Sequence, residues 1–147
     1  MFIEALLPAV RARLATIPED ASLVDAATQL ARSRINLVVA CRSDATIAGV
    51  ITKTDVVRQI SQCTGADCTK AASLVMTRDV VVCRPTDWLP DVWTAMRERS
   101  LKHVPVVDDA SHPVGVLYAR DALQVLLEET EAEELLLRDY VLGIGYR

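Results

Sequence analysis

The sequence has few of the residues on which common catalytic sites depend. It holds two histidines, five glycines and one phenylalanine among 147 residues. It contains neither a P-loop nor a G-x-G-x-x-G turn, the motifs that hold nucleotide phosphates in many enzymes. Neither His103 nor His112 is followed by a nucleophile or a carboxylate at a spacing typical of a catalytic set. We therefore predict a protein that is not an enzyme and has no catalytic cofactor.

The cysteines do not have the spacing of a metal site. Only Cys63 and Cys68 lie close together in the sequence, and no histidine is near them. Cys41 and Cys83 fall in strand-like apolar runs, where cysteine is typically a small core residue. We predict reduced thiols and no bound metal.

Charge and hydropathy exclude two further classes. The formal net charge is −4, so electrostatics does not favour a nucleic-acid partner. No apolar run approaches the roughly 20 residues that span a bilayer. Residues 1–14 carry Glu4 and two arginines among apolar residues, unlike a signal peptide. We expect a cytoplasmic protein that does not contact membranes.

One stretch of the chain occurs twice. Residues 49–55 and 115–121 each comprise a glycine, a short apolar run and a polar turn that ends on an aspartate. Apolar residues follow each copy at helical spacing, which indicates a buried strand leading into the first turn of a helix. Helix N-termini have unpaired N–H groups that favour anions. Thr52 and Asp55 would suit a phosphate and a sugar diol, although they could also simply cap the helix.

The repetition extends beyond these turns. Leu30 matches Met96, Ile35 matches Leu101 and Val38 matches Val104. The chain is therefore a duplicated unit of roughly 55 residues, and its 51% apolar content fits an α/β interior. We divide it into an N-terminal helix with the first repeat (1–60), a linker (61–79), the second repeat (80–127) and a C-terminal helix with an apolar tail (128–147).

Periodicity and turn residues predict the elements. The predicted strands are 16–18, 35–41, 47–52, 80–83, 104–107 and 114–118. The predicted helices begin near residue 7, follow Ser22 with Val24 on the inward face, and span 55–62, 89–99 and 119–142. The glutamates of the last helix are most simply a solvated face, whereas the tail after it needs cover from the chain's own core or a second chain.

The chain resembles tandem CBS-domain pairs, also called Bateman modules. The resemblance rests on residues 76–80 leading to Pro85, on 102–108 and on 115–121. In the first half it rests on 16–18, 35–40 and 49–55, so it covers roughly residues 9–127. It implies an α/β (α+β) fold of two β-α-β-β-α repeats packed with pseudo-twofold symmetry.

The resemblance also implies a function. Such modules are regulatory, bind adenosine-containing ligands (AMP, ADP, ATP, NAD or S-adenosylmethionine) in a cleft between the repeats, and commonly form homodimers through their helices. We therefore expect an adenine nucleotide as regulatory ligand, a homodimer and an unidentified effector protein. The alternative is a structural dimerisation module with vestigial ligand sites.

The first implied site combines the two repeats. Its residues would be Thr52, Lys53 and Asp55, opposed by Cys83, Arg84, Leu101, Lys102 and His103. The carboxylate of Asp55 would accept hydrogen bonds from the ribose hydroxyls. Thr52 and the basic side chains would hold phosphate. For Lys53 and Lys102, ordinary surface charge is an equally good interpretation.

The second implied site departs from the family pattern. Its residues would be Tyr118, Arg120 and Asp121, opposed by Thr16, Ile17, Arg34, Ile35 and Asn36. Tyr118 replaces the expected serine or threonine, and its ring would either crowd a phosphate or stack on a base. We expect unequal sites, with one phosphorylated ligand per chain held against Asp55.

Overall fold

The computed structural model describes residues 1–62 and 70–141. The helices are α1 (Leu7–Ala12), α2 (Leu23–Leu30), α3 (Lys53–Ser61), α4 (Leu89–Glu98) and α5 (Ala119–Val141). The strands are β1 (Thr16–Pro18), β2 (Leu37–Cys41), β3 (Ile47–Thr52), β4 (His103–Val107) and β5 (Pro113–Tyr118). Short 3₁₀ helices cover Ile3–Leu6 and Ala72–Leu74. Cys63, Cys68 and the predicted tail from 142 lie outside the described residues.

The first repeat is a three-stranded sheet with two helices. β2 lies between parallel β1 and antiparallel β3. Ser22 caps α2 as predicted, in a capping box with Asp25 that satisfies backbone donors at both positions. The buried face of α2 carries Leu23, Ala26 and Leu30. The inward position predicted for Val24 is wrong, since this side chain is 50% exposed.

The second repeat has the same hairpin and helices. β4 and β5 pair antiparallel, and β4 and α4 begin and end within a residue of their predicted bounds. The predicted strand 80–83 is wrong in extent. Cys83 alone bridges to Val106, in the parallel sense in which β1 pairs with β2. The apolar run before Cys83 instead lies along the cleft described below.

The segment that leads into each repeat packs against the hairpin of the other repeat. Met76 and Thr77, which lead into the second repeat, lie over Gly49 of the first; a methyl group there would come within 2.6 Å of the Thr77 carbonyl oxygen. Val10 of α1 lies in the same way over Gly115, where a methyl group would approach its backbone to 2.7 Å. Gly49 and Gly115 are 66 positions apart, as are Val10 and Met76. These reciprocal contacts give the pseudo-twofold packing of the repeats.

The two hairpins meet face to face. A buried layer between them contains Leu37, Val39, Val50, Val116 and Tyr118. Their turns also touch, because the Ile47 N–H donates to the Ser111 carbonyl at 3.0 Å. The clefts at the two ends of this layer therefore draw residues from both repeats.

The tryptophans and the last helix lie away from this layer. Trp88 packs edge-on against Phe2, with ring centroids 5.1 Å apart, and Trp93 packs against the core of the second repeat. In α5, residues 128–139 are largely exposed, including Leu135 and Leu136. None of the described helices is long and apolar enough to cross a membrane.

Candidate functional site: one open and one filled cleft

The turn from β3 into α3 fixes the position of Asp55. The Asp55 N–H donates to the Thr52 hydroxyl oxygen at 3.2 Å, and the Thr52 N–H donates to Asp55 Oδ2 at 2.9 Å. This capping box satisfies two backbone donors and holds the carboxylate rigidly. Among the described residues, the other carboxylate oxygen, Oδ1, has one ion-pair neighbour, the largely exposed Arg58 at 3.8 Å. Asp55 therefore caps the helix and still has an oxygen for a ligand.

Beside this turn is an open cleft of about 270 Å³ between the repeats, which we call the first site. The first repeat contributes Leu37, Val50, Thr52 and Asp55. The segment leading into the second repeat contributes Thr77, Asp79, Val80 and Val81, and the second repeat contributes Ser100, Leu101, Lys102, His103 and Pro105. Apolar walls with a few converging polar groups are typical of small-molecule sites.

The structure brings together part of the predicted first site. Thr52, Asp55, Leu101, Lys102 and His103 line the cleft. Three other predicted residues are elsewhere: Lys53 is exposed outside the lining, Arg84 lies 3.8 Å from Asp109, and Cys83 lines a different cavity.

The cavity beside Cys83 is mainly apolar and adjoins the first site, since Val81 and Leu101 line both. It measures about 230 Å³ and is lined by Trp88, Val92 and Met96 among others. Burial, together with the negative charge of Asp87, raises the pKa of Cys83 to about 12. The thiol is therefore protonated at neutral pH and a poor nucleophile or metal ligand. The described residues contain no group of three or more His, Cys, Asp or Glu side chains that could hold a metal ion.

At the other end of the layer, the chain fills the equivalent cleft, the second site, with its own Tyr118. This side chain is only 2% exposed. Its hydroxyl accepts from the Asn36 N–H at 2.8 Å and donates to the Arg34 carbonyl at 3.3 Å. A buried tyrosine hydroxyl needs such partners, and here both come from the other repeat.

Arg13, at the end of α1, completes the filling. Its guanidinium lies 4.4 Å from the centroid of the Tyr118 ring. Two of its nitrogens bond the two carboxylate oxygens of Asp121, both at 3.1 Å, and a third donates to the Arg34 carbonyl at 3.0 Å. The carboxylate that would receive a ribose is therefore already paired within the chain.

The remaining predicted residues of the second site are structural or exposed. Ile17 and Ile35 are buried in the core of the first repeat. Thr16 pairs with Val39 in the sheet, and Arg120 is exposed at the start of α5. Sequence reasoning missed Arg13 here and Asp79 in the first site. The 66-residue spacing that relates Asp55 to Asp121 also relates Arg13 to Asp79, and extending it backwards would have indicated both.

His103 connects the two sites. It lines the first site, and its ring packs edge-on against Tyr118 with centroids 4.7 Å apart. Burial, followed by the positive charges of Lys102 and Arg13, lowers the pKa of His103. The imidazole is therefore neutral at pH 7 and offers one donor and one acceptor.

Comparison with known sequences assigns the family. Residues 8–62 and 71–128 each match the CBS domain. These two copies cover most of the chain, which therefore belongs to the CBS domain family and carries a tandem pair.

Solved structures share this architecture. The CBS domain pair of protein MJ0100, in complex with 5′-methylthioadenosine and S-adenosyl-L-methionine, has a TM-score of 0.74 at 22% identity, covering 88% of this chain and 98% of that one. The CBS domain protein PAE2072 from Pyrobaculum aerophilum, complexed with AMP, has a TM-score of 0.72 at 26% identity, covering 82% and 89%.

Curated sequences with similarity include longer proteins. A homoserine O-acetyltransferase of Methanocorpusculum labreanum is 28% identical over 102 residues, covering 69% of this chain and 20% of that protein. The corresponding protein of Methanococcoides burtonii is 27% identical over 109 residues, covering 74% and 21%. The chain spans about a fifth of the length of these relatives.

Proposed function

We propose that this chain is a regulatory module that senses an adenosine-containing small molecule in the first site. The observation that carries the proposal is the contrast between two equivalent clefts. Tyr118 and Arg13 fill the second site, whereas Asp55 lines an open cleft of about 270 Å³. The AMP complex of PAE2072 supports a nucleoside ligand for this fold.

The second site suggests how a ligand is held in the first. There, Tyr118 uses the N–H of Asn36 and the carbonyl of Arg34. The equivalent groups 66 positions later are the N–H of Lys102 and the carbonyl of Ser100, and both residues line the open cleft. A donor and an acceptor so arranged match the edge of an adenine base.

Asp55 would then bind the ribose. Its carboxylate is held by the Thr52 N–H through Oδ2, and Oδ1 is positioned to accept from a vicinal diol. A ligand bound in this way contacts both repeats and stabilises their packing. A partner protein that recognises this packing would receive the signal.

Ligand-dependent thermal stabilisation tests the proposal. A ligand that binds only the folded chain at a hundredfold excess over its Kd stabilises it by about 2.7 kcal/mol, which raises Tm by several degrees. We expect this shift with at least one of adenosine, 5′-methylthioadenosine, S-adenosylmethionine, AMP, ATP and NAD. Asp55→Asn should remove the shift.

A matched control separates binding from capping. Asp25 forms the same capping box in α2 and does not line the first site. Asp25→Asn should therefore lower the baseline Tm by a similar amount and retain the ligand shift. An unmoved melting curve with every compound at millimolar concentration would reject the sensor proposal.

Self-association is a second candidate function, and an apolar groove favours it. The groove lies between α2 and α3, measures about 310 Å³ and includes Val24 and Ile60, which are half exposed. We propose a homodimer that covers this groove. Light scattering should give twice the monomer mass, and Ile60→Glu should restore the monomer mass. A monomeric wild-type chain at micromolar concentration would refute the assembly.

A further inference from the structure

The side chains that fill the second site indicate which kind of ligand the first site would accept. Its internal occupants are an aromatic ring and a cation, namely Tyr118 and the Arg13 guanidinium 4.4 Å from the ring centroid. The cation lies against Asp121, with both contacts to the carboxylate at 3.1 Å. An aromatic ring with a positive charge close beside it therefore satisfies this geometry.

The first site keeps the carboxylate but lacks both occupants. Thr52 stands at the position equivalent to Tyr118, and Asp79 stands at the position equivalent to Arg13. Both line the open cleft together with Asp55. Where the second site has a carboxylate facing an arginine, the first site has two carboxylates.

We propose that the first site prefers an adenosine derivative whose 5′ substituent carries a positive charge, such as a sulfonium or an ammonium group, over nucleoside 5′-phosphates. The base takes the place of the Tyr118 ring, the ribose hydroxyls bond Asp55, and the cation of the 5′ substituent lies beside the carboxylate of Asp79. This specificity rests on the proposed function.

The positions of the basic residues support this preference. Of the groups predicted to hold a phosphate, Lys53 lies outside the cleft and Arg84 lies beside Asp109. The Thr52 hydroxyl oxygen accepts the Asp55 N–H in the cap of α3. Lys53 and Arg84 therefore do not contribute positive charge to the cleft lining, in contrast to the phosphate site expected from the sequence.

The remaining charges do not reverse the balance. Lys102 is the one cation that lines the cleft among the described residues, and burial keeps His103 neutral through its lowered pKa. Arg58 lies 3.8 Å from Asp55 but is largely exposed, so solvent screens it. Two carboxylates and one lysine leave the lining negative, which disfavours a phosphate by like-charge repulsion.

Calorimetric titration with four probes tests the specificity. The probes are S-adenosylmethionine with a sulfonium, 5′-methylthioadenosine without charge in the arm, AMP and ATP. We expect S-adenosylmethionine to bind about tenfold more tightly than AMP, with ATP weaker still and the affinity difference shrinking as salt is raised. Asp79→Asn should weaken S-adenosylmethionine severalfold and leave 5′-methylthioadenosine unchanged.

The outcomes distinguish this inference from the function on which it rests. AMP or ATP binding as tightly as S-adenosylmethionine would overturn the charge preference while leaving an adenosine sensor. An equal loss of affinity for 5′-methylthioadenosine and S-adenosylmethionine in Asp79→Asn would also overturn it, because a purely structural role of Asp79 would affect both ligands. Binding of none of the four would reject the proposed function itself.

Discussion

Arg13 and Asp121 are 108 positions apart in the sequence and form a two-pronged ion pair, with both N···O distances 3.1 Å. The side chain of Arg13 is 15% exposed and that of Asp121 20%. The pair joins the end of α1 to the first turn of α5, so it fastens the N-terminal segment to the second repeat. It also occupies the carboxylate that corresponds to Asp55, and the two sites of the module become unequal.

The first prediction concerns the stability that this pair provides. Arg13→Met keeps much of the apolar contact with Tyr118 but leaves the Asp121 carboxylate unpaired. We expect the free energy of unfolding to fall by about 1–3 kcal/mol, the typical effect of leaving a partly buried charged group without its hydrogen-bond partner. Urea denaturation measures this change. Arg11→Met, on the same helix and exposed, should change stability by less than about 0.5 kcal/mol; equal effects of the two variants would contradict the assignment.

The second prediction is that the first site can be closed by copying the second. Thr52→Tyr combined with Asp79→Arg supplies the ring and the cation that fill the equivalent cleft. We expect loss of ligand binding with the fold retained, since this arrangement already packs well around Tyr118. The control is Thr54→Tyr, an exposed position in the same turn that does not line the cleft. Circular dichroism checks the fold, and retained affinity in the double variant would argue against the site.

The third prediction concerns pH. The ordinary pKa of histidine is about 6.5, and the pKa of His103 is lowered in the folded chain. Below about pH 6.5 the unfolded chain therefore binds a proton on His103 more readily than the folded chain does. The free energy of unfolding should therefore be highest above about pH 6.5 and should decrease as the pH drops below that value. Urea midpoints at pH 7.5 and 5.5 measure the effect. His103→Asn should flatten this dependence, and an unchanged pH slope would contradict it.

The fourth prediction tests the close approach at the two central glycines. An added methyl group would meet the Thr77 carbonyl at Gly49 and the Val10 backbone at Gly115. Both Gly→Ala variants should lose about 1–3 kcal/mol of stability through overpacking. Ala45→Gly is the opposing control, because Ala45 is exposed with φ of 68° and glycine relieves that strain. Unchanged stability in both Gly→Ala variants would show that the segments packed over Gly49 and Gly115 can move away to accommodate a methyl group.

Local patterns predicted most of the secondary structure because each signal lies within a few residues. The run before Thr52 gave β3 with its exact bounds, and Ser22 marked the start of α2. The strand predicted at 80–83 was too long because an apolar run does not reveal whether it pairs or lines a cleft.

The site was only partly predictable for a related reason. Asp55 and Thr52 belong to one turn, and their placement follows from the strand–helix junction. Arg13 reaches Asp121 only because α1 packs across the second repeat, which no local pattern encodes. Arg84 was expected at the cleft, yet its guanidinium lies 3.8 Å from Asp109, and the direction of a long side chain depends on tertiary surroundings.

The crystal structure of the chain with the adenosine ligand that gives the largest thermal shift tests the central claim most directly. The account predicts one ligand per chain, its ribose hydroxyls within hydrogen-bond distance of Asp55, and Arg13 still paired with Asp121. Ligand density against Asp121, with Arg13 displaced and the cleft beside Asp55 empty, would contradict it.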